Sequence, residues 1–134
     1  MRLADPTRLL QSVNADPEFR LAARYWSATL SLESPPRALR VEIADGQVAS
    51  CRESEAGQPA TITVVAPDDG WAQFLVPVPR PFYQDLLGGC VQHHGFAVKG
   101  DVLSLSAYYQ ALQRLFAIMR ALGAATGEGR HGSL

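Results

Sequence analysis

His93 and His94 are the residues of this chain best suited by type to move a proton or hold a metal, since imidazole titrates near neutral pH and is a common metal ligand. Neighbouring residues in a strand or turn point in different directions, so one of the pair faces solvent, and the pair lacks the regularly spaced acidic and cysteine ligands of a metal site. Cys90, after Gly88-Gly89, is a candidate nucleophile near His93, although a packed free thiol explains it as well. Asp68-Asp69 reads as a helix cap with favourable first-turn charge, and Glu42 and Asp45 belong to the polar side and the turn of a hairpin. Gly88-Gly89 and the Gly95 to Gly100 spacing lack the Lys-Ser/Thr of a phosphate loop. No catalytic signature, metal or cofactor emerges. What remains is a surplus of aromatic and long aliphatic residues on separate elements, which serves equally as a packed core or as the lining of an apolar ligand pocket.

The totals bound the answer. A chain of 134 residues is expected to form one domain with a real core, and 47% hydrophobic with 19% charged residues describes a soluble globular protein. The net charge of -1 excludes broad attraction to nucleic acid, and an anionic membrane would have to be met through a local patch. No apolar run reaches the roughly 20 residues that span a bilayer. Charges and a proline occupy the first ten residues where a signal peptide has its apolar core, so a cytoplasmic protein is expected, with at most transient membrane contact. Gly132-Ser133-Leu134 lacks the basic residue of a peroxisomal address. Cys51 and Cys90 are expected as free, partly buried thiols. The excess of Arg over a single Lys hints at a GC-rich bacterial genome.

Read in order, Asp5-Pro6 and Asp16-Pro17 each place an N-cap before a proline at the first helical position. Two helices are predicted, the second over about Pro17 to Ala28 with Phe19, Ala22, Ala23, Trp26 and Leu30 on one face. From Thr29 the period changes to two: Leu30 and Leu32, then Leu39, Val41 and Ile43 after Pro35-Pro36. Asp45-Gly46 predicts a hairpin with Val48 to Arg52 returning, and Ala60 to Ala66 is a β-branched run suited to an inner strand. A short helix follows Pro67-Asp68 through Trp71, Phe74 and Leu75. Pro77, Pro79 and Pro81 then mark an extended connector, and Phe82, Leu86 and Leu87 a further short helix.

The stretch from Phe96 to Leu122 organises the rest. It holds a strand, a Gly100-Asp101 turn and an apolar face of Leu105, Tyr108, Tyr109, Leu112, Leu115, Phe116, Met119 and Leu122 at helical spacing. Asp101 and Ser106 are both candidate N-caps, Gly123 stands where a left-handed C-cap would end the helix, and Arg120 suits its C-terminal dipole. The tail from 123 is expected to be mobile, with the domain core over about 17–122.

Gly95, Phe96, Ala97, Val98, Lys99, Gly100 and Asp101, followed by this helix, resemble the end of the sterol-carrier-protein type 2 domain. That family typically reads Gly-Lys-Leu-X-(Ile/Val)-X-Gly-(Asp/Asn) here, so Phe96 and Ala97 depart from the commoner lysine and leucine. The element order agrees with an α+β fold: a single five-stranded, mostly antiparallel sheet with helices packed on one face. The resemblance implies non-catalytic binding or transfer of a hydrophobic ligand, such as a sterol, fatty acid or acyl chain, in a cavity between sheet and helices. Its expected lining is Trp26, Leu30, Trp71, Phe74, Leu75, Phe82, Leu86, Phe96, Tyr108, Tyr109, Leu112, Leu115, Phe116 and Met119, with Tyr108, Tyr109 or Gln110 orienting a polar end. Two alternatives stand beside it: an enzyme or accessory subunit acting on a steroid, polyketide or quinone precursor through His93, His94 or a tyrosine, and a protein interaction module. Monomer and homodimer are both compatible with the pattern.

Overall fold

Two aspartates open the first helices by the same device. Asp5 accepts hydrogen bonds from the backbone N–H groups of Thr7 and Arg8 at 3.0 and 3.3 Å and starts α1, Pro6–Ala15. Asp16 ends α1, accepts from the N–H of Phe19 at 2.8 Å and starts α2, Pro17–Ala22. The computed structural model describes residues 2–75 and 95–132, with side chains up to 123. The expected connector, the helix at Phe82, Leu86 and Leu87, Cys90, and His93 and His94 therefore lie outside the described residues.

α2 stops well short of Ala28, and the reason is tertiary. Tyr25 takes a left-handed φ of 72°, and the Trp26 carbonyl accepts from the N–H of Gly46 at 2.8 Å. Trp26 thereby leaves the helix line to stack on Tyr108, with centroids 5.0 Å apart and planes 11° apart.

The strands are β1 Ala28–Ser34, β2 Arg37–Ala44, β3 Gln47–Glu55, β4 Ile62–Val65 and β5 Ala97–Gly100. They form one sheet in the order β3-β2-β1-β4-β5, antiparallel except for the β1–β4 pair. Asp45 and Gly46 join β2 to β3 with φ values of 50° and 80°, the doubly positive turn that matches strand twist. A parallel pair needs a crossover, and the chain from 56 to 61 supplies it across the face away from the helices. There the Glu33 carboxylate accepts from the Ser31 hydroxyl at 2.8 Å and the Gly57 N–H at 3.1 Å, so Ser31 and Glu33 are buried although they alternate outward.

The other face is apolar. Leu30, Leu32, Leu39, Val41, Ile43, Ile62 and Val64 are all buried under the helices. α1 is clamped to the edge strand by Asn14, whose amide donates to the Val48 carbonyl at 3.0 Å while its oxygen accepts from the Val48 N–H at 2.8 Å. A short helix, α3, Asp68–Phe74, follows β4.

The C-terminal helix takes one of its two candidate caps and differs from expectation at two points. Asp101 is its cap, accepting from Leu103 and Ser104 N–H groups at 3.0 and 3.2 Å. It is broken at Tyr108, with φ -119° and ψ 24°, into α4, Val102–Ala107, and α5, Tyr109–Gly132. It also runs through Gly123 without a left-handed residue there, since the following Ala124 and Ala125 are good helix formers.

α5 is latched to the start of α2. Arg114 donates to both Asp16 oxygens at 2.8 Å through Nε and Nη2 and lies 3.5 Å from Glu18. The hydrogen bonds from Arg114 hold the Asp16 carboxyl below its ordinary 3.8, although burial opposes them. A depressed native value stabilises the fold above pH 3.8, and that contribution is lost as pH falls through the lower folded-state value. Asp16→Asn keeps a cap but loses the ion pair. With Arg114 partly screened by solvent, it should cost about 1–2 kcal/mol in urea unfolding at neutral pH. The difference from the native protein should shrink in acid; a constant difference down to about pH 2 would remove the charge from the account.

Candidate functional site

The aromatic residues converge where α3, the approach to β5 and α5 meet over the sheet. α3 starts after Pro67 and is tied to the end of β1 by a Ser34 hydroxyl to Asp68 carboxylate hydrogen bond. Its spacing puts Trp71 and Phe74 on the inner side, both fully buried. Phe74 packs against Phe116 and Phe96 with centroids 4.9 and 5.1 Å apart, and Trp71 lies 5.2 Å from Phe96 and 6.1 Å from Phe116. These are tilted and edge-to-face contacts, the arrangement favoured by ring quadrupoles.

Both tryptophan N–H groups in this apolar region are satisfied internally. Trp71 Nε1 donates to the Glu33 carbonyl at 2.7 Å, and Trp26 Nε1 to the Ser104 hydroxyl at 2.9 Å. Arg120 Nε donates to the Phe74 carbonyl at 2.7 Å while its guanidinium lies 4.5 Å from the Phe74 ring centroid. Arg120 thus closes the end of α3 onto α5, a role that its position near a helix C-terminus did not indicate.

Of the residues expected to line a ligand site, Trp26, Leu30, Trp71, Phe74, Phe96, Leu112, Leu115, Phe116 and Met119 are buried in one cluster. Leu75, Tyr108 and Tyr109 are half-buried against it, and Phe82 and Leu86 lie outside the described residues. Gln110 is exposed and is not part of this cluster. Ala111 and Ile118 are buried on the same helix face and went unnoticed beside their larger neighbours. Met119 also lines a groove of about 280 Å3 with Leu122, Leu3 and Ala4. A larger groove of about 630 Å3, between Arg2, Leu3 and the Pro36–Leu39 and Glu53–Ala56 segments, touches none of the aromatic cluster.

The described residues offer little reactive chemistry. Burial, with the Asp5 charge adding to it, pushes the Cys51 thiol up to about 12, so it stays protonated and un-nucleophilic at neutral pH. No group of three or more His, Cys, Asp or Glu residues is placed to hold a metal among the described residues. None of the described helices is long and apolar enough to cross a membrane.

Five strands in this order, the short helix α3 before the last strand and a terminal helix over the sheet define the sterol-carrier-protein type 2 fold. The crystal structure of sterol carrier protein 2 matches over 87% of this chain and 93% of that one, with a TM-score of 0.73 and 20% identity. A conserved Thermus thermophilus protein described as a possible sterol carrier protein matches over 85% of this chain and 82% of its own, with a TM-score of 0.65 and 19% identity. The UbiJ-SCP2 ubiquinone synthesis protein covers 85% and is itself covered over 86%, with a TM-score of 0.54 and 17% identity. No family model and no curated protein matches the sequence. The likeness is therefore one of fold, and the five-stranded sheet with its single parallel pair agrees with the architecture expected from element order.

Proposed function

We propose that this protein binds a hydrophobic small molecule between its sheet and α5 and acts as a carrier rather than a catalyst. The observation that carries the reading is the cluster of Trp71, Phe74, Phe96 and Phe116, built from three separate elements. Rings contributed by different elements can part without breaking any strand. α5 is held to the end of α3 by the hydrogen bond from Arg120 to the Phe74 carbonyl and to the start of α2 by Arg114 and Asp16, both polar and part-buried links. A ligand entering there is held by burial of its apolar surface, at about 25 cal/mol per Å2. The half-buried Tyr108 and Tyr109 are the candidates for orienting its polar end. The fold shared with sterol carrier protein 2 supports the same reading.

The ligand class proposed is a sterol, a fatty acid or an acyl chain. A second reading, an accessory role on a quinone precursor, is favoured by the likeness to a ubiquinone synthesis protein. Native mass spectrometry of protein purified without detergent, followed by denaturing lipid extraction, tests both. A co-purifying sterol or fatty acid is expected on the first reading and a prenylated ring on the second. An apo mass that does not shift on adding sterols, fatty acids or prenylated quinones would return the aromatic cluster to a packed core. Turnover lost on substituting His93 and His94, with binding retained, would instead favour catalysis.

A further inference from the structure

The segment that precedes α1 lies on the fold with almost no polar attachment. Among the described residues no hydrogen bond ties the backbone of Arg2, Leu3 or Ala4 to the rest of the protein. Arg2 Nε lies 3.4 Å from Glu53 Oε1, but the two side chains are 57% and 49% exposed, so solvent screens the pair and it contributes little. What keeps the segment down is apolar contact: Leu3 and Ala4 are half-buried against the core cluster.

Leu3 stands at the partition between two grooves. On one side is the groove of about 630 Å3, which reaches Leu39 of β2. On the other is the groove of about 280 Å3, which reaches Met119 and Leu122 of α5. Arg2 and Leu3 line both. Leu39 and Met119 are 2% and 1% exposed and belong to the one core cluster between the sheet and α5. The two grooves therefore lead to the same interior from either side of a single side chain. The rim is where the helix-covered face of the sheet turns polar. Arg37 shares the face of Leu39 along β2, and Glu55 and Glu53 stand opposite these two residues on β3. An apolar floor inside a polar rim is the make-up of a small-molecule site.

We infer that residues 2–4 form a displaceable strap over the mouth of the space between the sheet and α5, with Leu3 as the plug that a hydrophobic ligand pushes aside. The inference rests on the proposed function, to whose site it gives an entrance. Lifting the strap breaks one exposed ion pair and no backbone hydrogen bond, and it joins the two grooves into one trough from Leu39 to Met119. Other routes meet stronger links. Between α5 and α2 the Arg114 side chain must leave both Asp16 oxygens, and between α5 and α3 Arg120 must leave the Phe74 carbonyl. Apolar contact is thus the main cost of opening the strap. The size of residue 3 then sets the fraction of molecules that are open, and the rate of ligand uptake follows that fraction.

Stopped-flow uptake of two fluorescent probes, dehydroergosterol and cis-parinaric acid, tests this on the full chain. Leu3→Ala should take up the probe that the native protein binds about tenfold faster, the effect of removing three half-buried carbons. Glu53→Gln, an exposed change that frees Arg2, should speed uptake about twofold. Leu10→Ala, which removes the same half-buried carbons from α1, should leave the rate as it is. Equal rates for the native protein and Leu3→Ala, or the same acceleration in Leu10→Ala, would overturn the strap and leave the proposed function in place. So would a lower urea midpoint for Leu3→Ala with no change in rate, since Leu3 is then a packing residue only. Uptake by Leu3→Ala where the native protein takes up nothing would support the plug most directly. Uptake of neither probe by any of the four proteins would remove the proposed function and the strap with it.

Discussion

Replacing Trp71 with alanine is expected to lower folding stability by about 3–5 kcal/mol, the range for deleting a fully buried large aromatic side chain. The loss has three sources. The side chain has no solvent exposure, so its whole apolar surface is given up. Its contacts with Phe74, Phe96 and Phe116 disappear together, leaving a void at the junction of three elements that cannot collapse independently. The Glu33 carbonyl loses the indole N–H and keeps only the N–H of Ala66 at 3.0 Å. Trp71→Phe separates these sources, because it retains a ring and removes the hydrogen bond. It should cost about 1 kcal/mol for the bond, with a further part for the smaller ring. Equilibrium urea unfolding of both variants measures the two losses. A Trp71→Ala loss below about 1 kcal/mol would mean that the ring already borders open space, which would strengthen the cavity reading. A full loss with ligand uptake abolished would place the ligand against this ring.

Gly100→Ala is expected to destabilise by about 2–5 kcal/mol, combining a disallowed backbone conformation with overpacking. Gly100 has φ 118°, a region that residues with a Cβ rarely adopt. An added Cβ would collide with the Thr61 carbonyl oxygen and stand 3.0 Å from its carbon and 3.1 Å from Ile62 Cα. The obstacle is backbone, so no side-chain rotation relieves it. The same Thr61 oxygen accepts the N–H of Asp101 at 2.9 Å, the bond that sets the start of α4. Forcing the two apart should open the β4–β5 pairing at Ile62 and Gly100 and shift α4, so amide exchange should speed up in β5 and α4 first. Exchange that rises uniformly across the sheet would instead mean that β5 is not an independent weak edge.

Elements governed by neighbours a few residues away could be read in the one-dimensional chain. The Asp-Pro pairs start α1 and α2, Asp45-Gly46 turns β2 into β3, and Asp101 caps α4, because each of these needs only local backbone geometry and one short side chain. Alternation in β1 and β2 and the apolar face of α5 were legible for the same reason, since periodicity states which side must be covered. The Gly100-Asp101 turn belongs to this class in part: its type is local, but only the crowding by Thr61 explains why glycine stands there.

Everything decided by partners distant in sequence had to wait for the tertiary structure. α2 ends at Ala22 because Trp26 is drawn to Ser104 and Tyr108, and the terminal helix breaks at Tyr108 because that ring is held on Trp26. Ser31 and Glu33 look solvent-facing by alternation, yet the crossover covers them and the Gly57 N–H completes their bonding. Leu21, Tyr25, Val102 and Leu103 belong to none of the faces that the apolar spacing marked, and their exposure is known only from the fold. Apolar periodicity specifies that a face is hydrophobic but is indifferent to what covers it. Whether side chains or a ligand provides that cover depends on the spacing between elements, and long-range packing alone sets that spacing.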